Sequence, residues 1–592
     1  MMARTRRAGP GLLAIAALCV AGLAPVARAQ GIDLSPAMVA AGAEGVDRVL
    51  NDIRVETSGT TGDTARDADI AAKVRLSIGV STGDVFNRAL AEGAVMRARR
   101  MPGVRNISYR LAATYNPDGL ILAFVVALEK NYAERPAISG ALVDGKGLPT
   151  LYRNGSALLQ FTLNGGSGLF SDANPWFGDP IAFTRNNPLV RVPALGAQTG
   201  ARATWMEHSI EYGAAGMTQI GDTPIYAYGA ISGLTAASRG RDIFRDDARS
   251  TTRIEKGYGG LLYVAPEGDL SVNLSGGRQN FTLNDGFLIS QFGSQYNAGP
   301  RPGVYLAPRT AHDWAFVGTV KWGQWTLKGF VLDPNEPKTK DLDSKTQVAG
   351  VNLRYNFTPT FYGDVSFLNS PRSNTKYPIA GANPTPTRSG VKTYAAHLRW
   401  SDRAVLPGVW MEAEGAYQSH QYIPMSAWAG YGTVGYLAAW APWTPSLSYR
   451  YAYFSGDKRD TLPYERFDPL FSGGLNEWLQ GISLAKALSQ TNSHVQRVRF
   501  NLAPTPRLNL TLDVFLRRAD VMNNLGGNPA LSQLKFKDLG RELTFTTRWA
   551  ASDNFYILGI ASLAKPGEAI RAITNLPAKN WTTLQAQLFW SL

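Results

Sequence analysis

The last twelve residues, WTTLQAQLFWSL (Trp581–Leu592), decide the fold class. Leu584, Ala586, Leu588, Trp590 and Leu592 fall on one parity, and Thr583, Gln585, Gln587 and Ser591 on the other, with Phe589 as the exception. A period of two marks a strand with one apolar and one polar face. An edge strand of a soluble sheet has the same pattern, so the reading depends on how often it recurs upstream and on what separates the copies.

It recurs from about Ser156 onward. Val351, Leu353, Tyr355 and Phe357 oppose Asn352, Arg354 and Asn356, and Tyr394, Ala396, Leu398 and Trp400 oppose His397 and Arg399. Leu447, Tyr449, Tyr451 and Tyr453 oppose Ser448 and Arg450, and Leu508 to Leu516 repeat the pattern against Asn509, Thr511, Asp513 and Arg517. About eighteen such segments fit the even strand numbers of bacterial membrane barrels. Connections alternate in length. Short turns at Pro266-Glu267-Gly268, Gly323-Gln324, Thr358-Pro359-Thr360, Ala441-Pro442-Trp443, Pro504-Thr505-Pro506 and Ser552-Asp553-Asn554 alternate with long links such as Phe281 to His312, Pro371 to Ser389 and Gly456 to Ser493. Trp322, Trp325, Trp400, Trp440, Trp443, Trp549 and Trp590 stand at strand ends, where interfacial girdles form. The sequence therefore predicts an all-β transmembrane barrel over residues 156–592, of about eighteen antiparallel strands. Its last strand is expected to pair with Ser156 to Leu163, because a sheet in lipid cannot leave an edge open.

Arg4, Arg6 and Arg7, the apolar run Leu12 to Leu23 and the small-residue site Ala27-Arg28-Ala29 form an export signal over residues 1–29. The only cysteine, Cys19, lies inside it, which excludes disulfides, thiolate metal sites and cysteine catalysis from the mature chain. The four arginines of the signal account for four of the +14 net charge and leave +10 behind, a balance that suits an anionic partner. No run of apolar residues after the signal is long enough for a membrane helix. The five histidines (His208, His312, His397, His420, His494) lack metal-ligand spacing, and no G-x-S-x-G elbow or phosphate-cradling loop occurs. Neither catalytic residues, cofactor, metal nor nucleic acid is expected.

Residues 30–47 form a lead and 131–155 a linker around a small α+β domain at 48–130. A strand at Ile53 to Glu56 precedes helices at Asp67 to Leu76 and, capped by Asn87, at Arg88 to Arg100. Strands at Arg105 to Ala112 and Leu120 to Leu128 follow, around the turn Asn116-Pro117-Asp118-Gly119. This order, with "STGDVFNRA" (Ser81 to Ala89) and "PGVRNISYRL" (Pro102 to Leu111), resembles a POTRA domain. The resemblance implies a periplasmic position, docking a periplasmic export component or partly plugging the barrel entrance.

With the aliphatic parity in lipid, the opposite parity lines the lumen. There the sequence puts Arg354, Arg399, Arg450, Arg497, Arg499, Arg517, Arg548, Lys321 and Lys328, with the acids Glu412, Glu414, Asp513 and Glu542. Distributed guanidinium groups can bind carboxylates in a planar, bidentate way and still release them. Three stretches, "SGGRQNFTLNDGFLI" (Ser275 to Ile289), "SGDKRDTLPYERFDPLF" (Ser455 to Phe471) and "LGRELTFTTRWAASDNFYILGIASL" (Leu539 to Leu563), resemble motifs of the alginate export family of outer-membrane barrels. That resemblance implies a channel for an anionic exopolysaccharide in the outer membrane of a Gram-negative bacterium, in contact with its lipid. It also implies that the loop carrying Arg466, Phe467, Asp468 and Phe471 folds near or into the pore mouth. Two other readings stay open. One is a general porin preferring small anionic solutes. The other is a POTRA-bearing polypeptide secretion or assembly barrel, whose V-R-G-F/Y motif finds only a loose echo in Ser238-Arg239-Gly240-Arg241.

Overall fold

The computed structural model describes residues 49–113, 120–130, 150–184, 202–244, 248–290, 303–306, 311–334, 344–379, 384–401, 405–473, 478–552 and 555–591. The export signal, the lead, the 116–119 turn, most of the linker and Leu592 lie outside them.

The N-terminal domain folds as strand β1 (Leu50–Thr60), helices Thr64–Ser77 and Arg88–Ala98, then β2 (Val104–Ala113) and β3 (Leu120–Glu129). Asp63 caps the first helix by accepting from Ala65 N and Arg66 N, and Asn87 caps the second by accepting from Leu90 N. The three strands form one sheet in the order β1-β3-β2, with β1 parallel and β2 antiparallel to β3. Its core includes Ile53, Val74, Leu90, Val95, Ile107, Leu122 and Phe124.

After the short β4 (Thr150–Arg153), eighteen strands among the described residues, from β5 (Ala157–Ala173) to β22 (Trp581–Ser591), close into one antiparallel barrel. The period-two pattern is realised as two environments. In β22, Leu584 is 48% exposed on the outer face, whereas the adjacent Gln585 is 6% exposed on the inner one. Lipid covers the first and the lumen the second. The short turns all lie at one end of the barrel and the long links at the other, as antiparallel order requires. Trp322, Trp325, Trp440, Trp443 and Trp549 are exposed at the short-turn end, and Trp314, Tyr394 and Trp428 face outward nearer the long-loop end. No described helix is long and apolar enough to cross a membrane.

Closure corrects one expectation. β22 pairs with Asn164 to Ala173, the outer half of β5, and not with Ser156 to Leu163. The inner half, Leu158 to Gln160, pairs instead with β4. The physical cause is stagger: strands tilt in a barrel, so a ring closes only with an offset register, and β5 is long enough at 17 residues to supply both pairings. The closing half is rich in glycine because the terminal aromatics lie across it. A Cβ on Gly165 would come within 2.3 Å of the Trp590 ring. Gly165→Val should therefore weaken closure by about 1–3 kcal/mol, the usual cost of overpacking. Heat-modified mobility on gels would read the loss, and adding Trp590→Ala should restore it.

Candidate functional site: the barrel lumen

Three parts of the chain meet inside the barrel: the wall, the tip of the N-terminal domain and the long loops. The tip, Gly79 to Asn87, enters at the short-turn end. Asn273 Nδ2 donates to Gly79 O at 2.9 Å and Asn87 Nδ2 to Tyr258 Oη at 3.0 Å. Lys321 donates to Val80 O and Lys328 pairs with Asp84. Helix Arg88–Ala98 is buried along its length, and Met217, Tyr226, Tyr228, Leu262 and Val264 of the wall join the core of the domain. Gly83, at φ +89°, allows the tip to turn against Asn284, whose Cα would lie 3.0 Å from a Cβ there.

Arg354 ties all three parts together. Its Nη1 donates to Thr82 O of the tip at 2.6 Å, and its Nη2 to Asn284 Oδ1 of an inward loop at 2.7 Å. Its guanidinium also pairs with wall residue Asp364 at 3.2 Å and lies 4.2 Å from the centre of the Tyr362 ring. From there charge alternates around the wall. Asp364 meets His397 Nδ1 at 3.0 Å, His397 Nε2 meets Glu412 at 3.2 Å, and Glu412 meets Arg399 at 3.6 Å. The belt spans β12 (Gln347–Thr358), β13 (Phe361–Arg372), β14 (Val391–Trp400) and β15 (Val409–His420). Burying so many charges is tolerable only because each has opposite charge or hydrogen bonds beside it.

The neighbouring wall is more basic. β17 (Ser446–Phe454), β18 (Ser493–Thr505) and β19 (Leu508–Ala519) carry the buried Arg450, Arg497, Arg499 and Arg517, with the buried acid Asp513 among them on β19. Arg499 grips Asp513 with two bonds of 2.8 and 2.9 Å, and Arg497 stands 3.8 Å from the same carboxylate. Arg450 lies directly across from Arg497 in the ladder. It donates to Thr433 Oγ1 at 2.8 Å, and its guanidinium lies 4.6 Å from the Trp478 ring centre and 4.9 Å from that of Tyr431. Arg517 donates to the loop carbonyl of Ser489 at 2.7 Å. Arg548 is half-buried opposite Asn509. Of the wall cations expected from parity, Arg354, Arg399, Arg450, Arg497, Arg499, Arg517, Lys321 and Lys328 are buried and Arg548 is half-buried, and most of them hold other parts of the chain.

Two buried glutamates clamp the loops from the long-loop end. Glu542 accepts from the backbone N–H groups of Ile482, Ser483 and Leu484, and Glu207 from those of Val304, Tyr305 and Leu306. The loop between β17 and β18 turns inward. Phe467 and Phe471 join Phe287, Leu288, Phe454 and Trp478 in one apolar cluster. Arg466 donates to Asn524 Oδ1 at 2.9 Å, and Phe471 N to Leu288 O at 3.1 Å. Asp468 accepts two bonds from Arg388, at 2.7 and 2.8 Å, and one from Tyr377 Oη at 2.6 Å. Burial works to raise the Asp468 carboxyl, but the Arg388 charge and these bonds outweigh it and hold the group below the usual carboxylate range.

Sequence reasoning missed Thr82, Asp84, Asn284, His397 and Trp478 as lumen partners. His397 had a signal in its polar parity, and Thr82 and Asp84 lie in the Ser81 to Ala89 motif, which pointed to the N-terminal domain and not to the lumen. No group of three or more metal-ligating side chains occurs among the described residues.

A closed barrel with an apolar belt outside and charged residues inside is a transmembrane channel of the Gram-negative outer membrane. The model of the alginate export family matches residues 260–581, more than half of the chain, and the chain belongs to that family. No curated protein matches it. Among solved structures it is similar to a BenF-like porin from Pseudomonas fluorescens, at 10% identity and TM-score 0.44 over 73% of this chain and 98% of that one. OccAB2 from Acinetobacter baumannii gives the same four values. OpdH from Pseudomonas aeruginosa matches at 8% identity and TM-score 0.43, over 73% and 98%.

Glu542→Gln and Glu207→Gln should each loosen an inward loop by roughly 1–3 kcal/mol, since the amide NH2 that replaces one carboxylate oxygen cannot accept from the buried N–H donors facing it. Faster limited proteolysis at 303–306 or 482–484, with the barrel intact on gels, would show it. Asp468, held below its unfolded value of about 3.9, stabilises its loop at neutral pH and loses that contribution as pH falls through the folded value. Trp478 fluorescence should report loop release on acidification, and Asp468→Asn should abolish that step.

Proposed function

We propose that this channel passes an anionic, carboxylate-bearing saccharide, as an exported polymer. The observation that carries the reading is the set of buried arginines Arg450, Arg497, Arg499 and Arg517 on three adjacent strands, of which Arg497 and Arg499 share Asp513. Like charges directly opposite in a ladder repel. Arg450 and Arg497 stand directly opposite each other in the ladder, and guanidinium forks suit carboxylates. Arg354, Arg399, Arg548, Lys321 and Lys328 extend the path. The family's own description, alginate export, agrees with a polyuronate as substrate.

In this reading the short-turn end faces the periplasm, and the POTRA-like N-terminal domain is a plug. Lys321, Lys328 and Arg354 hold its tip through a carboxylate and backbone carbonyls, which are contacts an anionic chain competes for. Substrate arriving with a periplasmic export component would displace the tip, and the freed cations would then line the passage.

Single-channel recording on the full chain in planar bilayers tests this. Conductance should be low and should rise when Asp84→Asn removes the tip's carboxylate. The open channel should prefer anions, and uronate oligomers should block it. Arg497→Ser with Arg499→Ser should weaken that block roughly tenfold or more, the worth of one charge-assisted fork. Cation selectivity would refute the reading. Anion selectivity without block by uronate would leave a general porin. Orientation has its own readout: Leu462→Cys, at an exposed long-loop site, should react with an impermeant maleimide on intact cells.

A further inference from the structure

On its outer face the barrel carries a second basic site that transport does not use. Near the long-loop end, successive strands align outward residues in transverse rows. One row runs Tyr451, Gln496, Leu516, Arg541 and Lys565, each the cross-strand partner of the next. The next row toward the short turns is apolar, with Val498, Val514, Leu543 and Leu563. The next row toward the loops brings Arg518, beside His494. Rows on one face are spaced by about 7 Å, two residues of rise, so charge and hydrocarbon surface meet abruptly.

Arg518, Arg541 and Lys565 are all exposed, and Arg518 lies across the ladder from the exposed Asp538. Arg541 and Lys565 are direct cross-strand neighbours of like charge, an arrangement that costs stability unless an anion lies between them. They border a cavity of ≈ 700 Å³ on this face, together with Lys537 and Arg571. The two acids lining it also accept backbone hydrogen bonds. Asp520 accepts from Gly456 N at 2.9 Å and meets His494 at 3.2 Å, while Asp538 accepts from Gly540 N at 3.1 Å.

We infer that this groove binds the phosphorylated headgroup of an acylated glycolipid in the outer leaflet. The phosphates sit among Arg518, Arg541 and Lys565, and the acyl chains lie along Leu543, Leu563 and Leu516. Phosphate suits guanidinium forks, and the apolar row begins one step below, where acyl chains must run. A soluble anion would use the charges but leave the leucines idle. The placement in the outer leaflet rests on the orientation proposed above.

The test uses full-length protein in lipid nanodiscs and native mass spectrometry, with diphosphoryl lipid A as probe and its dephosphorylated form as comparison. Wild type should retain the diphosphoryl lipid and not the dephosphorylated one. Arg518→Ser, Arg541→Ser and Lys565→Ser combined should cut retention roughly tenfold or more, with bilayer conductance and gel mobility unchanged. Equal retention by wild type and the triple variant would overturn the site. Displacement of the lipid by millimolar inorganic phosphate would reduce it to an anion site without lipid specificity, and so would overturn it too. Retention of lipid while Leu462→Cys stays unlabelled on intact cells would overturn only its assignment to the outer leaflet.

Discussion

A backbone amide in hydrocarbon finds no water, so every strand that crosses the bilayer must be paired along both edges. In this chain that requirement falls hardest on the seam between β5 and β22, where the first and last strands of the barrel meet more than 400 residues apart in sequence. The glycines that admit Trp590 and Phe589, the long β5 and the short β4 that covers its inner half all follow from closing that seam. Once the ring is closed, side chains have only two places to go, and their parity decides which.

Closure creates a second problem, which the lumen solves. Strand after strand sends charge inward, and a charge removed from water is costly unless another group meets it. The chain meets most of its own inward charges. Acids on neighbouring strands take Arg354, Arg399 and Arg499, loop carbonyls take Arg517, and the N-terminal tip takes Lys321 and Lys328. Loops and tip are thus anchored by the groups that line the path. Ionic contacts of this kind can be exchanged for those of a competing anion, which offers the same bonds, whereas hydrophobic packing cannot. Two apolar clusters are beyond such competition: the one around Phe287, Phe467 and Trp478 among the loops, and the one in which Met217, Tyr226, Tyr228, Leu262 and Val264 of the wall join the core of the N-terminal domain.

Much of the architecture was legible in the chain. Alternation at Val351 to Phe357 or Leu508 to Leu516 needs no partner to be seen, because the environment of a strand residue follows from its own parity. The short turns and long links sorted the two ends of the barrel by the same local means, and the polar parity of the arginines was read from position alone. The contacts of those arginines did not. Nothing near Arg354 in sequence points to Thr82 or Asn284, and His397 looked like one scattered histidine until two carboxylates closed on it.

By itself, then, the sequence determined a closed membrane barrel of about eighteen strands and the two parities of its faces, which are local and periodic properties. Only the tertiary structure decided that β22 lies on Asn164 to Ala173, that the Ser81 to Asn87 turn enters the short-turn mouth, and which group each buried charge holds. The division has a physical reason. Hydrophobic periodicity acts between each residue and its solvent, whereas register and ion pairing act between residues far apart in the chain, and their choice depends on the stagger with which the ring closes.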